Sequence, residues 1–194
     1  IDKTLIKNLI KILAKKLTRN LDKNLDKNLD KNLQKKLNNN LNQKLNVMVI
    51  PYWIDIKNLE TFEKKESITL GFLGRLNVNK GIEDLINAIN SEQLISLDFK
   101  LFIGGVGTQE YLEKLRNMIE QENIKKVTFL GYIENREKFF NDIDIFVFPS
   151  FSEGLGLVLL EAMSFSKVCI TRNILPMTNY IDEKSGYLFD DVNG

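Results

Sequence analysis

The hydrophobic positions of this chain follow one rule up to about residue 45 and another beyond it. In the first stretch leucine returns at every fourth position, at 5, 9, 13, 17, 21, 25, 29, 33, 37, 41 and 45. An α-helix turns about 100° per residue, so each step of four overshoots a full turn by roughly 40° and the stripe drifts around the whole helix over the run. No single face stays apolar from end to end, and the average spacing of about 3.5 that a coiled coil needs is missed. Asp22, Asp26 and Asp30 stand four apart, as do Lys23, Lys27 and Lys31, which places like charges one turn above each other. Residues 1–45 are therefore expected to be a low-complexity Leu/Asn/Lys repeat, at most a partial helix that needs a partner. A helical assembly or a membrane-surface element is the sharper alternative.

From residue 46 the period changes. "NVMVIPYWI" reads as a short strand ending at Pro51 and "NLETFEKKES" as a charged connector, so residues 46–67 form a linker. Strand-like and helix-like runs then alternate. "ITLGFLGRL" leads to the helix "GIEDLINAI", "FKLFIGGVG" to "TQEYLEKLRNMIEQEN", and "KVTFLGYI" to "REKFFNDI". "DIFVFPS" leads to "GLVLLEAMSF", followed by the strands "KVCITR" and "GYLFD". Strands rich in Val, Ile and Phe, apolar on both faces and separated by helices, predict a parallel sheet covered on both sides. Residues 68–194 are thus expected to form a Rossmann-like, doubly wound α/β domain.

Charge and composition narrow the chemistry. The net charge of +1 conceals twelve Lys or Arg against four Asp in residues 1–45, a local +8 that leaves −7 for the rest. The basic segment has no aromatic side chain to stack on bases, which argues against nucleic acid, although contact with an anionic membrane remains open to it. Cys169 is the only cysteine and suits a reducing, cytoplasmic compartment. The chain has no histidine, so zinc sites and serine–histidine catalysis have no basis in it. No apolar run approaches the ~20 residues of a membrane-spanning helix. A chain that starts without methionine and stops just after a strand is expected to be a fragment of a longer protein.

In a parallel sheet of this kind ligands bind beyond the carboxyl ends of the strands. Three loops there carry candidate chemistry. "GRLNVNKG" offers Gly74 for close backbone approach, Arg75 as a planar fork for phosphate oxygens and Lys80 as a point charge. Two solvated loop charges would look the same. "GGVG", residues 104–107, could cradle a phosphate on backbone N–H groups or could make a tight turn. "PSFSEGLGLVLLEAMS" places Glu153 in a loop and Glu161 on the following helix, with Gly154 and Gly156 between them. The two carboxylates could converge on sugar and ribose hydroxyls, with phosphate at the helix start, or could be ordinary exposed acids. The D-x-D of Asp142 and Asp144 lies upstream of a strand, at the wrong end for a ligand, and reads as a turn and strand start.

Taken in order, "GRLNVNKG", "FLGYI", "DIFVFPS" and above all "EGLGLVLLEAM" resemble the C-terminal domain of family 4 glycosyltransferases, also called glycosyl transferases group 1, which are retaining enzymes of the GT-B fold. The resemblance spans roughly residues 46–194. It implies that the domain binds a nucleotide diphosphate sugar and transfers the glycosyl group to an acceptor hydroxyl, with no metal and no other cofactor. Arg75 and Lys80 would hold the diphosphate, Glu153 would lie beside the donor sugar as the catalytic glutamate, and Glu161 would bond the ribose. Gly74 and the backbone around Gly154, Leu155 and Gly156 would help bind sugar and phosphates, and Gly131 and Tyr132 would lie near the base. Leu155 and Val158 stand where the family often has an aromatic residue and a proline, and Ser166 and Lys167 replace a common glycine and proline. Asn179 falls near a usual glutamate, and Tyr52 and Trp53 stand where the linker usually has asparagine and glycine. The family's N-terminal, acceptor-binding domain is larger than residues 1–45 can form. The acceptor and the donor sugar are not implied. A noncatalytic scaffold built on the leucine repeat is the alternative from another class, and a nicotinamide dehydrogenase lacks its six-residue glycine fingerprint here.

Overall fold

Six stretches rich in Val, Ile, Leu and Phe pair side by side in a fully parallel sheet. The computed structural model describes residues 8, 9, 11–13, 67–182 and 185–190. The strands are β1 (Ile68–Leu73), β2 (Phe99–Gly104), β3 (Val127–Gly131), β4 (Ile145–Phe148), β5 (Val168–Arg172) and β6 (Gly186–Phe189). Their order in the sheet is β3-β2-β1-β4-β5-β6, so the chain builds outward from β1 in one direction and then resumes beside it in the other. Among the described residues from 67 onward the helices are α1 (Ile82–Ile89), α2 (Glu92–Ile95), α3 (Gln109–Gln121), α4 (Arg136–Asp142) and α5 (Leu157–Ser164). The expected doubly wound α/β fold is present, and the linker assigned to 46–67 lies, apart from Ser67, outside the described residues.

The alternation of side chains along each strand divides the interior in two. In β4, Ile145 and Val147 enter one core while Phe146 and Phe148 enter the other. The first core is closed by Ile82, Leu85 and Ile89 of α1 together with Leu115 of α3. The second is closed by Phe139 and Phe140 of α4 and by Leu159 and Ala162 of α5. Phe140 meets Phe146 edge-on at 5.8 Å between ring centroids and stacks on Phe165 at 5.2 Å. Strands with both faces covered read as continuous apolar runs, which is why their positions were visible in the sequence.

Three elements differ from those expected. The strand read as "ITLGFLGRL" ends at Leu73; beyond it Gly74 N still bonds Gly104 O at the end of β2, and Leu76 N bonds Val106 O in the loop that follows. The short α2 carries too few turns to leave a periodic signal. Strand β3, at the sheet edge, is not covered on both faces: Thr128 and Leu130 on one of them are exposed.

The repeat segment gives a further finding. Residues 8, 9 and 11–13 are helical, with Leu9 and Leu13 buried in the same core as Val147, Ile170 and Phe189, and Ile12 packed against it. Asn8 and Lys11 face outward. A period of four drifts only about 40° between successive leucines, so a piece two turns long keeps one apolar face even though the whole run cannot. The remainder of the 1–45 repeat lies outside the described residues.

Candidate active site

The loops after β1 and β4 flank the point where the strand order reverses, the position at which doubly wound sheets open a crevice. The first loop is braced by its neighbour. Gly74 N donates to Gly104 O at 3.1 Å, and Leu76 N donates to Val106 O at 2.8 Å. A Cβ on Gly105 would come within 1.7 Å of Gly74 O, and one on Gly107 within 2.2 Å of Leu76 O. The glycines of "GGVG" therefore serve close approach of two loops. The N-terminus of α3 beside them is capped by its own Thr108, whose Oγ1 accepts from Tyr111 N at 3.3 Å.

Beyond the buried Leu76, residues Val78–Lys80 form a short 3-10 turn that ends at Gly81 with φ +65°. Only a residue without Cβ fits, because Pro149 O occupies the space 2.2 Å from where that atom would be. Pro149 opens the second loop, and Phe151 N donates back to Asn79 O at 2.9 Å. The two loops thus run against each other, and their side chains meet: Lys80 Nζ lies 2.5 Å from Glu153 Oε1. Lys80 also lies 5.7 Å from the centre of the Phe148 ring.

Gly74, Arg75, Lys80, Glu153 and Gly156 line one hollow of about 420 Å³. Arg75 is exposed within it. Gly156, with φ +69°, is the N-cap residue of α5 and offers no side chain to its first N–H groups. The positive end of that helix, with Leu157 and Val158, therefore faces the hollow. Two cations, one carboxylate and an uncapped helix start suit an anionic, polyhydroxylated ligand, with phosphate oxygens at the cations and hydroxyls at the carboxylate.

The other candidate residues stand apart from this hollow. Glu161 lies on α5, and both its oxygens are 2.6 Å from Nη1 of Arg136, the first residue of α4. Gly154 and Leu155 bridge Glu153 to Gly156 without lining the space, and Leu155 is partly exposed. Gly131 ends β3 with φ +69°, and Tyr132 after it is 76% exposed. Asp144 lies before β4, where its N donates to Thr69 O and its Oδ2 accepts from Thr69 N, both at 2.8 Å. It is a strand-start residue, as its position indicated. Among the described residues no group of three or more His, Cys, Asp or Glu could hold a metal ion. No helix among them is long and apolar enough to cross a membrane.

A buried ion pair behind the hollow went unread in the sequence. Arg172, at the end of β5 and 1% exposed, donates from Nη2 to Asp84 Oδ2 at 3.0 Å. Its Nε and Nη2 also donate to Pro149 O at 3.3 and 3.2 Å. The guanidinium lies 4.1 Å from the Phe151 ring centre and 5.1 Å from that of Phe189. Burial raises the Asp84 carboxyl above its ordinary range despite the opposing pull of Arg172. Burial lowers Arg172 in turn, against the pull of Asp84. The available signals were an acid inside the apolar helix "GIEDLINAI" and an arginine closing "KVCITR".

The family model described as glycosyl transferases group 1 matches residues 55–193. An uncharacterized 41.2 kDa protein in the cps region of Klebsiella pneumoniae is 31% identical over 135 residues, covering 67% of this chain and 35% of its own. Glycogen synthase of Desulfitobacterium hafniense is 29% identical over 141 residues, covering 68% and 30%. Among solved structures, a mutant of S. aureus TarM in complex with Fondaparinux, alpha-GlcNAc-glycerol and UDP has a TM-score of 0.70 at 26% identity, over 83% of this chain and 33% of that one. Anabaena HepE in complex with UDP and glucose has a TM-score of 0.58 at 22% identity, over 65% and 35%, a likeness of fold alone. The chain spans about a third of the length of these relatives. A Rossmann-like domain matched by the family model over most of its residues, with structural neighbours that are GT-B glycosyltransferases, belongs to the glycosyl transferases group 1 family.

Proposed function

We propose that this domain binds the nucleotide diphosphate sugar of a retaining, metal-independent hexosyltransferase. The observation that carries the reading is the convergence of Arg75, Lys80, Glu153 and the start of α5 on one hollow at the switch point of the sheet. Arg75 and Lys80 would take the diphosphate, with the α5 N-terminus adding its partial positive charge. As the bond to the sugar breaks, negative charge grows on the departing nucleotide diphosphate. Fixed cations and helix dipoles aimed at that charge lower the barrier without reorganising. Glu153 would accept from sugar hydroxyls, and Glu161 would bond the ribose once its contact with Arg136 rearranges. Gly131 and Tyr132 would lie by the base. The bound UDP of the TarM neighbour supports a uridine donor in particular.

Transfer needs an acceptor, which in this reading is held by a further part of the enzyme. The single buried cysteine suits a cytoplasmic domain, and the +8 segment suits an anionic membrane face. The test is calorimetric titration of the chain with UDP, GDP and ADP. One of them is expected to bind, and Arg75→Ala is expected to weaken it at least tenfold. Absence of binding by all three would overturn the reading.

A further inference from the structure

The hollow is built from two separate pieces of chain, and its grip on an anion depends on how those pieces sit relative to each other. Lys80 belongs to the turn that leads into α1, and Glu153 to the loop that begins at Pro149. Arg172 touches both pieces from behind. On one side it holds Asp84 in the first turn of α1. On the other it donates twice to Pro149 O and lies against Phe151. Being 1% exposed, it does not line the space that a ligand would fill.

Stability alone is a poor reason for such a pair. Desolvating two charges costs several kcal/mol per ion, and replacing a buried pair by apolar residues of similar volume is often neutral or stabilising. Direction is what an apolar pair cannot supply. A planar guanidinium fixes a carboxylate and a carbonyl oxygen at set angles simultaneously, and the carbonyl needs a donor once it is buried. In active sites a misplacement of about 1 Å can cost on the order of a hundredfold in rate.

We infer that Arg172 and Asp84 form a positioning pair that sets the separation of the two cation- and carboxylate-bearing loops, and thereby the affinity for the nucleotide diphosphate, without touching it. This rests on the reading that the hollow is the donor site.

The test compares UDP affinity with unfolding midpoint for the whole chain carrying Asp84→Leu with Arg172→Met, and separately Arg172→Lys. The double variant is expected to keep its midpoint within a few degrees while UDP binding weakens at least tenfold. Arg172→Lys, which keeps a charge opposite Asp84 but loses the fork, is expected to fall between it and the unaltered chain. If the unaltered chain binds UDP and both variants bind it equally well, the inference fails and the donor-site reading stands. If the unaltered chain binds none of UDP, GDP and ADP, the donor-site reading fails and takes the inference with it. If neither variant folds, the pair is a stability element and the inference fails.

Discussion

Lys80 Nζ and Glu153 Oε1, 73 residues apart in the chain, lie 2.5 Å from each other within the lining of the hollow. The cation that would grip a phosphate is thus partly neutralised before any ligand arrives, and a diphosphate must compete with the carboxylate for it.

Removing that competitor should strengthen nucleotide binding. Glu153→Gln is expected to tighten UDP binding several-fold at low salt, with the gain shrinking as ionic strength rises. Lys80→Ala removes a charge-assisted hydrogen bond worth about 1.5–3 kcal/mol, or roughly ten- to a hundredfold in affinity. Calorimetry at two salt concentrations measures both. A nucleotide sugar should gain less than UDP from Glu153→Gln, because it also loses an acceptor for its hydroxyls.

Gly81 lies where the backbone of the first loop passes Pro149 of the second. Alanine there meets both a left-handed backbone and Pro149 O at 2.2 Å. Strain of this kind costs about 1–3 kcal/mol. Gly81→Ala is therefore expected to lower the urea midpoint and to weaken UDP binding in the same protein. Gly154→Ala, with open space around its Cβ position, is expected to do much less to stability.

Leu13 is fully buried against the sheet although it belongs to the repeat. Truncating a core leucine costs about 2–5 kcal/mol through lost burial and the cavity left behind. Leu13→Ala is expected to destabilise the chain on that scale in urea unfolding. Leu175→Ala, at a side chain 72% exposed, is expected to stay within about 0.5 kcal/mol. Equal effects would mean that the repeat does not share the domain core.

Cys169 is buried on β5, and burial pushes its thiol up to about 12 from an ordinary value of 9.0. Its folded value is raised, so its contribution to stability is complete below about pH 9 and is lost as pH rises through about 12. Stability should therefore fall across that alkaline window, and less so in Cys169→Ala. In native protein near neutral pH the thiol is expected to resist a disulfide reagent and to react only on unfolding.

The sheet, its parallel sense and the loops that carry the site were legible in the sequence because each depends on neighbours along the chain. Covered strands show as apolar runs, helices as a change of period, and strand-end loops as glycines with Arg75, Lys80 and Glu153. The meeting of Lys80 with Glu153, and the common hollow they share with Arg75, required the strand order that puts β4 beside β1. Glu161 shows the opposite outcome. The sequence left open whether it converges with Glu153 or is an ordinary exposed acid, and its side chain turns to Arg136, whose approach depends on how α4 packs beside α5.

By itself the sequence determined the alternation of strands and helices, the family motifs and the placement of charges at the carboxyl rim, since local periodicity and residue type carry that information. Only the tertiary structure decided that Leu9 and Leu13 close a core, that "GGVG" joins two loops, and that Asp84 and Arg172 meet behind the site. Each of these is a contact between distant segments, and the burial that makes it consequential exists only once the sheet has assembled.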